Sequence, residues 1–239
     1  MNALALPTRS DWRLLRLRCE SLPEAARQAI ALHWTRAAQM EHASVAAFSR
    51  FSLQLLAVGA PPSLLEDAHR AALDEIAHAE LCFSLATIYA GHSVGPGPLP
   101  VDQRALTSWD LLSIAVATVE EGCVGETIAA LEAEAAAHLA QDEAVRAVQL
   151  RIFEDESRHA ELAWRFVRWA AQLGGEPVRA ALRDAFERTL QHFRGAAPLD
   201  SIHEHRLEAH GVLSERRKHA LRAQILTEVI GPTLRELLA

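Results

Sequence analysis

Two eight-residue segments constrain this chain more than anything else in it: DEIAHAEL from Asp74 and DESRHAEL from Asp155. They agree at six of eight positions, and both sit in Ala- and Leu-rich surroundings of high helix propensity. A helix advances about 100° per residue. Glu75 and His78 therefore share one face, and so do Glu156 and His159. The stripe around Glu75 carries Leu64, Ala68, Ala71, Cys82, Ala86 and Tyr89. The stripe around Glu156 carries Val145, Gln149, Ile152, Ala163, Val167 and Ala170. Twice, in the same order, an acid and a histidine are set in the middle of a face that a helix would bury.

No window shows sustained period-two alternation, so the expected fold class is all-α. The spacing predicts a helix from about Glu24 to Val58, stopped by GAPPS, and a second to about Tyr89, with Ser63 and Glu66 as a capping box. Glycine and proline in GHSVGPGPLP end it. A third helix is expected from near Ser108 to Ala140. A fourth opens at Asp142 and runs to Leu173, before the GGEP break. Further helices follow over roughly 178–193 and 200–238, the last with breaks near Gly211 and Gly231-Pro232. The reading is a leader (1–29), a four-helix bundle (30–173) and a C-terminal helical extension packed on it (174–239). The linker between the two hairpins has about 18 residues and reaches about 60 Å when extended, enough for a long crossover.

Composition narrows the function classes. A formal net charge of −7 argues against a general grip on nucleic acid or anionic membrane, although Arg216, Arg217 and Lys218 form a local basic patch. Cys19, Cys82 and Cys123 are scattered, without a CxxC pair, and fit reduced thiols. No signal-type segment or membrane-length apolar run is present. A cytoplasmic protein is expected.

The other two bundle helices each carry one acid in the apolar stripe: Glu41 among Trp34, Ala37, Val45 and Phe48, and Glu121 among Ile114, Ala117, Gly125 and Ile128. Glu120 and Glu126 compete with Glu121, but on an α-helix Glu126 lies roughly 140° off that stripe. Glu66 and His69 form a third ExxH, which points away from the core. Glu41 and the Glu75/His78 pair stand at similar distances from the first turn, as do Glu121 and the Glu156/His159 pair from the second. All six side chains can meet at one level. One buried carboxylate costs several kcal/mol, and four demand cations; two divalent ions cancel four negative charges. Oxygen-rich donors with one imidazole per ion suit iron or manganese.

In this arrangement Glu75 and Glu156 bridge, Glu41 with His78 and Glu121 with His159 complete each side, and Asp74 and Asp155 orient the opposite histidine. Arg158 braces an acid nearby or pairs at the surface. Gly122 and Gly125 serve close packing or leave room beside the ions, and Cys82 is a core residue or a pocket wall.

These residues resemble the ferritin-like di-iron carboxylate superfamily, over about 33–172. DESRH at 155–159 is similar to the DExRH form of bacterial multicomponent monooxygenases. EHASVAAF and DExRHAELAW resemble bacterial ferritin-like domain proteins, a match that implies no activity. The superfamily resemblance implies that the 91–107 linker is the long crossover. It also implies a pair of iron ions, with manganese–iron equally compatible, and dioxygen as co-substrate. An oxygenase or hydroxylase acting on a small molecule, fed by an electron-donor protein, is the favoured expectation. A ferroxidase or peroxide-scavenging protein without organic substrate is the alternative, and a structural bundle the third. The tRNA-hydroxylase branch has a comparable plan, though the acidic balance weighs against RNA; a homodimer is compatible with all of these.

Overall fold

The computed structural model describes residues 5–6, 22–100, 109–192 and 207–238. The expected leader, apart from residues 5–6 and 22–29, lies outside them, as do Cys19, His203 and His205. Within them the chain is helical, and no helix is long and apolar enough to cross a membrane. The exception is a two-residue antiparallel bridge between β1 (Ala5–Leu6) and β2 (Gly95–Pro96). A search for alternation cannot detect a pairing so short.

Helix α1 (Glu24–Ala57) turns back at Gly59, whose φ of 66° is left-handed. Helix α2 (Pro62–Ala90) begins with Pro61 as N-cap and Pro62 at the first helical position. Ser63 therefore sits inside the helix and the expected capping box is not formed; the fixed φ of proline presets the first turn instead. Gly91, at φ 76°, ends α2 by donating its N–H to the Thr87 carbonyl at 3.0 Å.

Asp110 caps α3 (Leu111–Thr118), its carboxylate accepting from the Ser113 N–H at 2.9 Å. The rod continues through a π-helical segment, Val119–Glu126, into α4 (Thr127–Leu139). Asp142 then caps α5 (Glu143–His192), accepting from the Ala144 and Val145 N–H groups. The GGEP break falls inside α5: Gly175 takes φ 62°, ψ −150°, a conformation essentially reserved to glycine. Pro177 restarts the helix in a new direction.

Two buried clusters mark the two ends of the bundle. One gathers Leu55, Leu64, Ala68, Ile114, Val119, Phe166 and Ala170. The other gathers Ile30, Trp34, Phe83, Ala86, Ala133, Ala140 and Val145. The C-terminal half of α2 thus lies level with the end of α4, and its N-terminal half level with α3. The two rods run parallel, so α3 begins at the end of the bundle opposite to the one where α2 stops. Helix α5 starts beside the C-terminal half of α2 and runs antiparallel to it.

The C-terminal sequence shares the same core. Val178, Leu182 and Phe186 of α5 join the first cluster. So do Ile225, Leu226 and Ile230, from the end of α6 (Glu215–Ile225) and the π segment before α7 (Gly231–Leu238). The stretch before α6 seals the other end. Gly211 has φ 78°, its carbonyl accepts from Gln149 Nε2 at 3.0 Å, and the His210 carbonyl accepts from Trp34 Nε1 at 3.3 Å. His210 packs against the same end, its Nδ1 meeting the Tyr89 hydroxyl at 3.0 Å.

Gly59 and Gly211 are predicted to respond differently to alanine. A Cβ at Gly59 meets nothing within 4 Å, so Gly59→Ala carries only the left-handed penalty of about 1–2 kcal/mol. At Gly211 it would lie 2.7 Å from Val145 Cγ1 and 3.0 Å from Trp34 Cζ2, which adds about 1–3 kcal/mol of overpacking. Urea denaturation should place Gly211→Ala well below Gly59→Ala in midpoint; equal midpoints would contradict the tight seal.

Candidate metal centre

Halfway along the bundle, two groups of potential ligand atoms overlap. Glu41, Glu75, His78 and Glu156 form one, and Glu75, Glu126, Glu156 and His159 the other; within each, the donor atoms lie within 4.8 Å of one another. Glu75 and Glu156 belong to both. Their oxygens divide between the two nests. Glu75 Oε1 lies 3.2 Å from His159 Nδ1 and Glu75 Oε2 lies 3.8 Å from His78 Nδ1. Glu156 Oε1 lies 3.4 Å from His78 Nδ1 and Glu156 Oε2 lies 3.3 Å from His159 Nδ1. Glu41 Oε2 completes the first nest at 3.8 Å from His78 Nδ1.

Each imidazole faces an aspartate of the opposite helix, His78 at hydrogen-bond distance and His159 farther off, its Nε2 without a hydrogen-bond partner. His78 Nε2 lies 3.0 Å from Asp155 Oδ2, and His159 Nε2 lies 3.5 Å from Asp74 Oδ2. An Nε2–H directed at an aspartate leaves the Nδ1 lone pair pointing into the nest, the tautomer a metal ligand needs. Both Nδ1 atoms are buried without a hydrogen-bond partner, as are Glu75 Oε2 and Glu156 Oε2. Buried polar atoms are normally satisfied, so four orphans converging on one place fit a missing cation. Arg158 reaches both aspartates, Asp155 Oδ1 closely and Asp74 Oδ2 at 3.4 Å. Arg151 does the same, pairing with Asp155 Oδ2 and approaching Asp74 Oδ1 at 3.6 Å. Sequence reasoning missed Arg151. Its signal was the i,i+4 spacing to Asp155.

The third-rod ligand is where the sequence expectation needs correction. Glu126, not Glu121, enters the nest. The side chain of Glu121 is 58% exposed and paired with Arg50. The cause is the π segment, which packs an extra residue into the turn. Counting at about 100° per residue then misplaces every side chain beyond it, Glu126 included. Two glycines in EEGCVGE were the available signal. Gly122 serves close packing, since a Cβ there would lie 2.6 Å from Ala163 Cβ. Gly125 has no such neighbour: its Cβ would meet only the Glu120 carbonyl at 3.4 Å, and it borders open space.

In the absence of metal cations, protons balance these charges. Burial lifts Glu41 to about 8, helped by the charges of Glu75 and Glu156 and opposed by His78. Burial likewise raises Glu126, which also shares a hydrogen bond with Glu156. Burial opposes protonation of His159, but Glu156 and Glu75 win and hold it up at about 9. His78 is raised against the same opposition by Glu156, Glu41 and Glu75. Glu156 is held low despite burial, by the close approach of Glu126, His159 and His78.

Two cavities touch the cluster. A small one of about 60 Å³ lies beside His159 and Glu126, walled by Phe48, Phe51, Leu162 and Ala163. A larger cleft of about 370 Å³ reaches Glu41, Glu126 and Glu156 from the other side and is also lined by Cys82. Burial and the surrounding carboxylates push the Cys82 thiol well up, so it is a wall of the cleft and not a nucleophile.

Three predictions follow from this geometry. Glu75→Ala should remove both metal equivalents, whereas Glu126→Ala should remove one and Glu121→Ala none, as counted by elemental analysis after ferrous loading; loss at Glu121 and not at Glu126 would reverse the correction. Because deprotonation must accompany metal binding, uptake at pH 7 should release protons. Apparent affinity should rise with pH up to about 9, following Glu41 and His159; a titration that is flat in pH would contradict the proton-filled cage. No family model matches the chain, no curated protein matches it, and no solved structure matches it.

Proposed function

We propose that this chain is a ferritin-like dimetal carboxylate protein that binds two iron ions and uses dioxygen to oxidise a small organic substrate. Glu75 and Glu156 would bridge the ions. Glu41 with His78, and Glu126 with His159, would complete the two sides. Ferrous ions held there would supply electrons for dioxygen reduction. The protein's own part is to orient the donors through the Asp–His contacts and admit a substrate through the larger cleft. The parallel course of α2 and the third rod supports the ferritin-like bundle with a long crossover.

The observation that carries the oxygenase reading is the 370 Å³ cleft opening onto Glu41, Glu126 and Glu156. That is the size of a small-molecule site. The smaller cavity has room for about two waters and suits a diatomic gas. An iron-oxidising protein would instead need unneutralised carboxylates along its entry path. The two further acids of this cleft are already matched: Glu132 accepts from Arg222 Nε at 2.5 Å and Glu121 is paired with Arg50.

The test is anaerobic loading with ferrous ion followed by dioxygen, with oxygen uptake and ferric iron measured together. Dioxygen consumption limited by the bound pair, with no continuing turnover of added iron, is the expected result. Sustained oxidation of excess iron would establish the ferroxidase alternative, and a bound but oxygen-inert pair would exclude both.

A further inference from the structure

The shape of the larger cleft says what kind of molecule would fill it. Its lining recurs at helical spacing on three elements. On α1 it runs from Glu41 and Ala37 back to Trp34 and His33. On α4 it runs from Glu126 past Ala129 and Ala133 to Ala136, and on α5 from Glu156 past Ile152 to Gln149. At about 1.5 Å per residue these stretches extend about 10–15 Å along the bundle axis. The cleft is therefore an open-sided channel, with the candidate metal centre at one end and the Gly211–Leu213 seal at the other. Alanines keep its middle open, and Trp34, Ile152 and Leu213 make it apolar.

The far end differs in charge. Lys218 of α6 lines it together with His33. The side chain of Lys218 is 18% exposed, and its Nζ lies 2.9 Å from the exposed carboxylate of Glu215, which can swing aside into solvent. Burial and then the nearby Lys218 charge lower His33 to about 4, so at neutral pH it is an uncharged imidazole able to donate one hydrogen bond. Of the acids along this cleft, Glu132 is held by Arg222 and Glu215 stands outside with Lys218. The inner end is carboxylate-lined and the outer end carries the ammonium group.

We propose that the channel binds an amphipathic monocarboxylate, its carboxylate on Lys218 and His33 and its apolar tail lying along Trp34 and Ala133 with the tail end against Glu41 and Glu126. An extended carbon chain with bonds of about 1.5 Å advances about 1.25 Å per atom, so a tail of about eight to ten carbons spans the channel. This deepens the functional reading above by naming the substrate class, but binding itself needs no oxidation chemistry.

Calorimetric titration of the full chain, with and without ferrous ion under argon, would test it using decanoate, decanol, decyltrimethylammonium and butyrate. Decanoate should bind best and butyrate negligibly. Lys218→Met should weaken decanoate by about tenfold to a hundredfold, the worth of one charge-assisted hydrogen bond, and leave decanol unchanged, which also shows that the variant is folded. Lys218→Arg should retain decanoate, and Lys218→Glu should favour decyltrimethylammonium instead. Decanoate affinity indifferent to Lys218→Met and Lys218→Glu, or unmeasurable in the parent chain, would overturn the proposal. Metal content, measured in parallel, separates this outcome from failure of the dimetal reading, because Lys218 is no ligand and decanoate binding without oxygen reactivity would sink only the oxidation chemistry.

Discussion

The rest of the molecule depends on the crossed contacts between α2 and α5. Asp74 and His78 are neighbours on one helix, yet each finds its partner on the other: Asp74 at His159, Asp155 at His78. Such an exchange works only if the two helices are antiparallel and level, so the repeated motif fixes their direction and register together. It also decides the electrostatics. Asp155 hydrogen-bonds the His78 ring and Asp74 faces the His159 ring, so the other nitrogen of each is turned inward. Arg151 and Arg158 then hold Asp155 ionised against its burial, with His78 adding to the effect. A buried carboxylate lacking such partners costs several kcal/mol. The outer layer has arginines for that purpose, while the inner layer has protons and a donor arrangement that could hold a metal ion.

The topology follows from the same demand. Four inner carboxylates come from α1, α2, the third rod and α5, one from each. A chain that simply went up and down would set the third rod antiparallel to α2. Here the two run parallel instead, as do α1 and α5. Each antiparallel hairpin then contributes one acid alone and one acid with a histidine, and the two hairpins face each other with the bridging acids in the middle. The C-terminal segments close this arrangement. Residues beyond Gly175 thicken one cluster, and the Gly211 turn caps the other against Trp34 and Val145.

Much of this was legible because α-helical geometry is regular. The start of α1 at Glu24, the hairpin turn at Gly59, the Asp142 cap and the shared face of Glu41, Glu75, His78, Glu156 and His159 all follow from spacing and local chemistry. The failures share one cause, a local departure from that regularity. Ser63 lost its cap role to Pro61, two residues earlier. Glu126 was set aside because a uniform 100° step carried it off the face, and nothing in a single sequence states outright that Val119–Glu126 will be π-helical.

That π segment accounts for more than one ligand. A widened turn is intrinsically weaker than an α turn, and two glycines weaken it further, so its presence beside the cluster needs compensation. Close packing supplies part of it: Gly122 lets the rod come down onto Ala163, which no residue with a Cβ would allow. The same approach narrows the space on the Phe48 side to a pocket of about 60 Å³. Three residues later Gly125 leaves the opposite side without a side chain, where the cleft of about 370 Å³ opens. Glu121 and Glu126, five residues apart in a turn whose hydrogen bonds link i to i+5, border both spaces. One irregular turn thereby delivers a carboxylate to the cluster, tightens one flank and loosens the other. An α-helical register would forfeit all three at once. The asymmetry between the two flanks of an otherwise two-fold-like centre is therefore set by the backbone of the third rod and not by the ligands themselves.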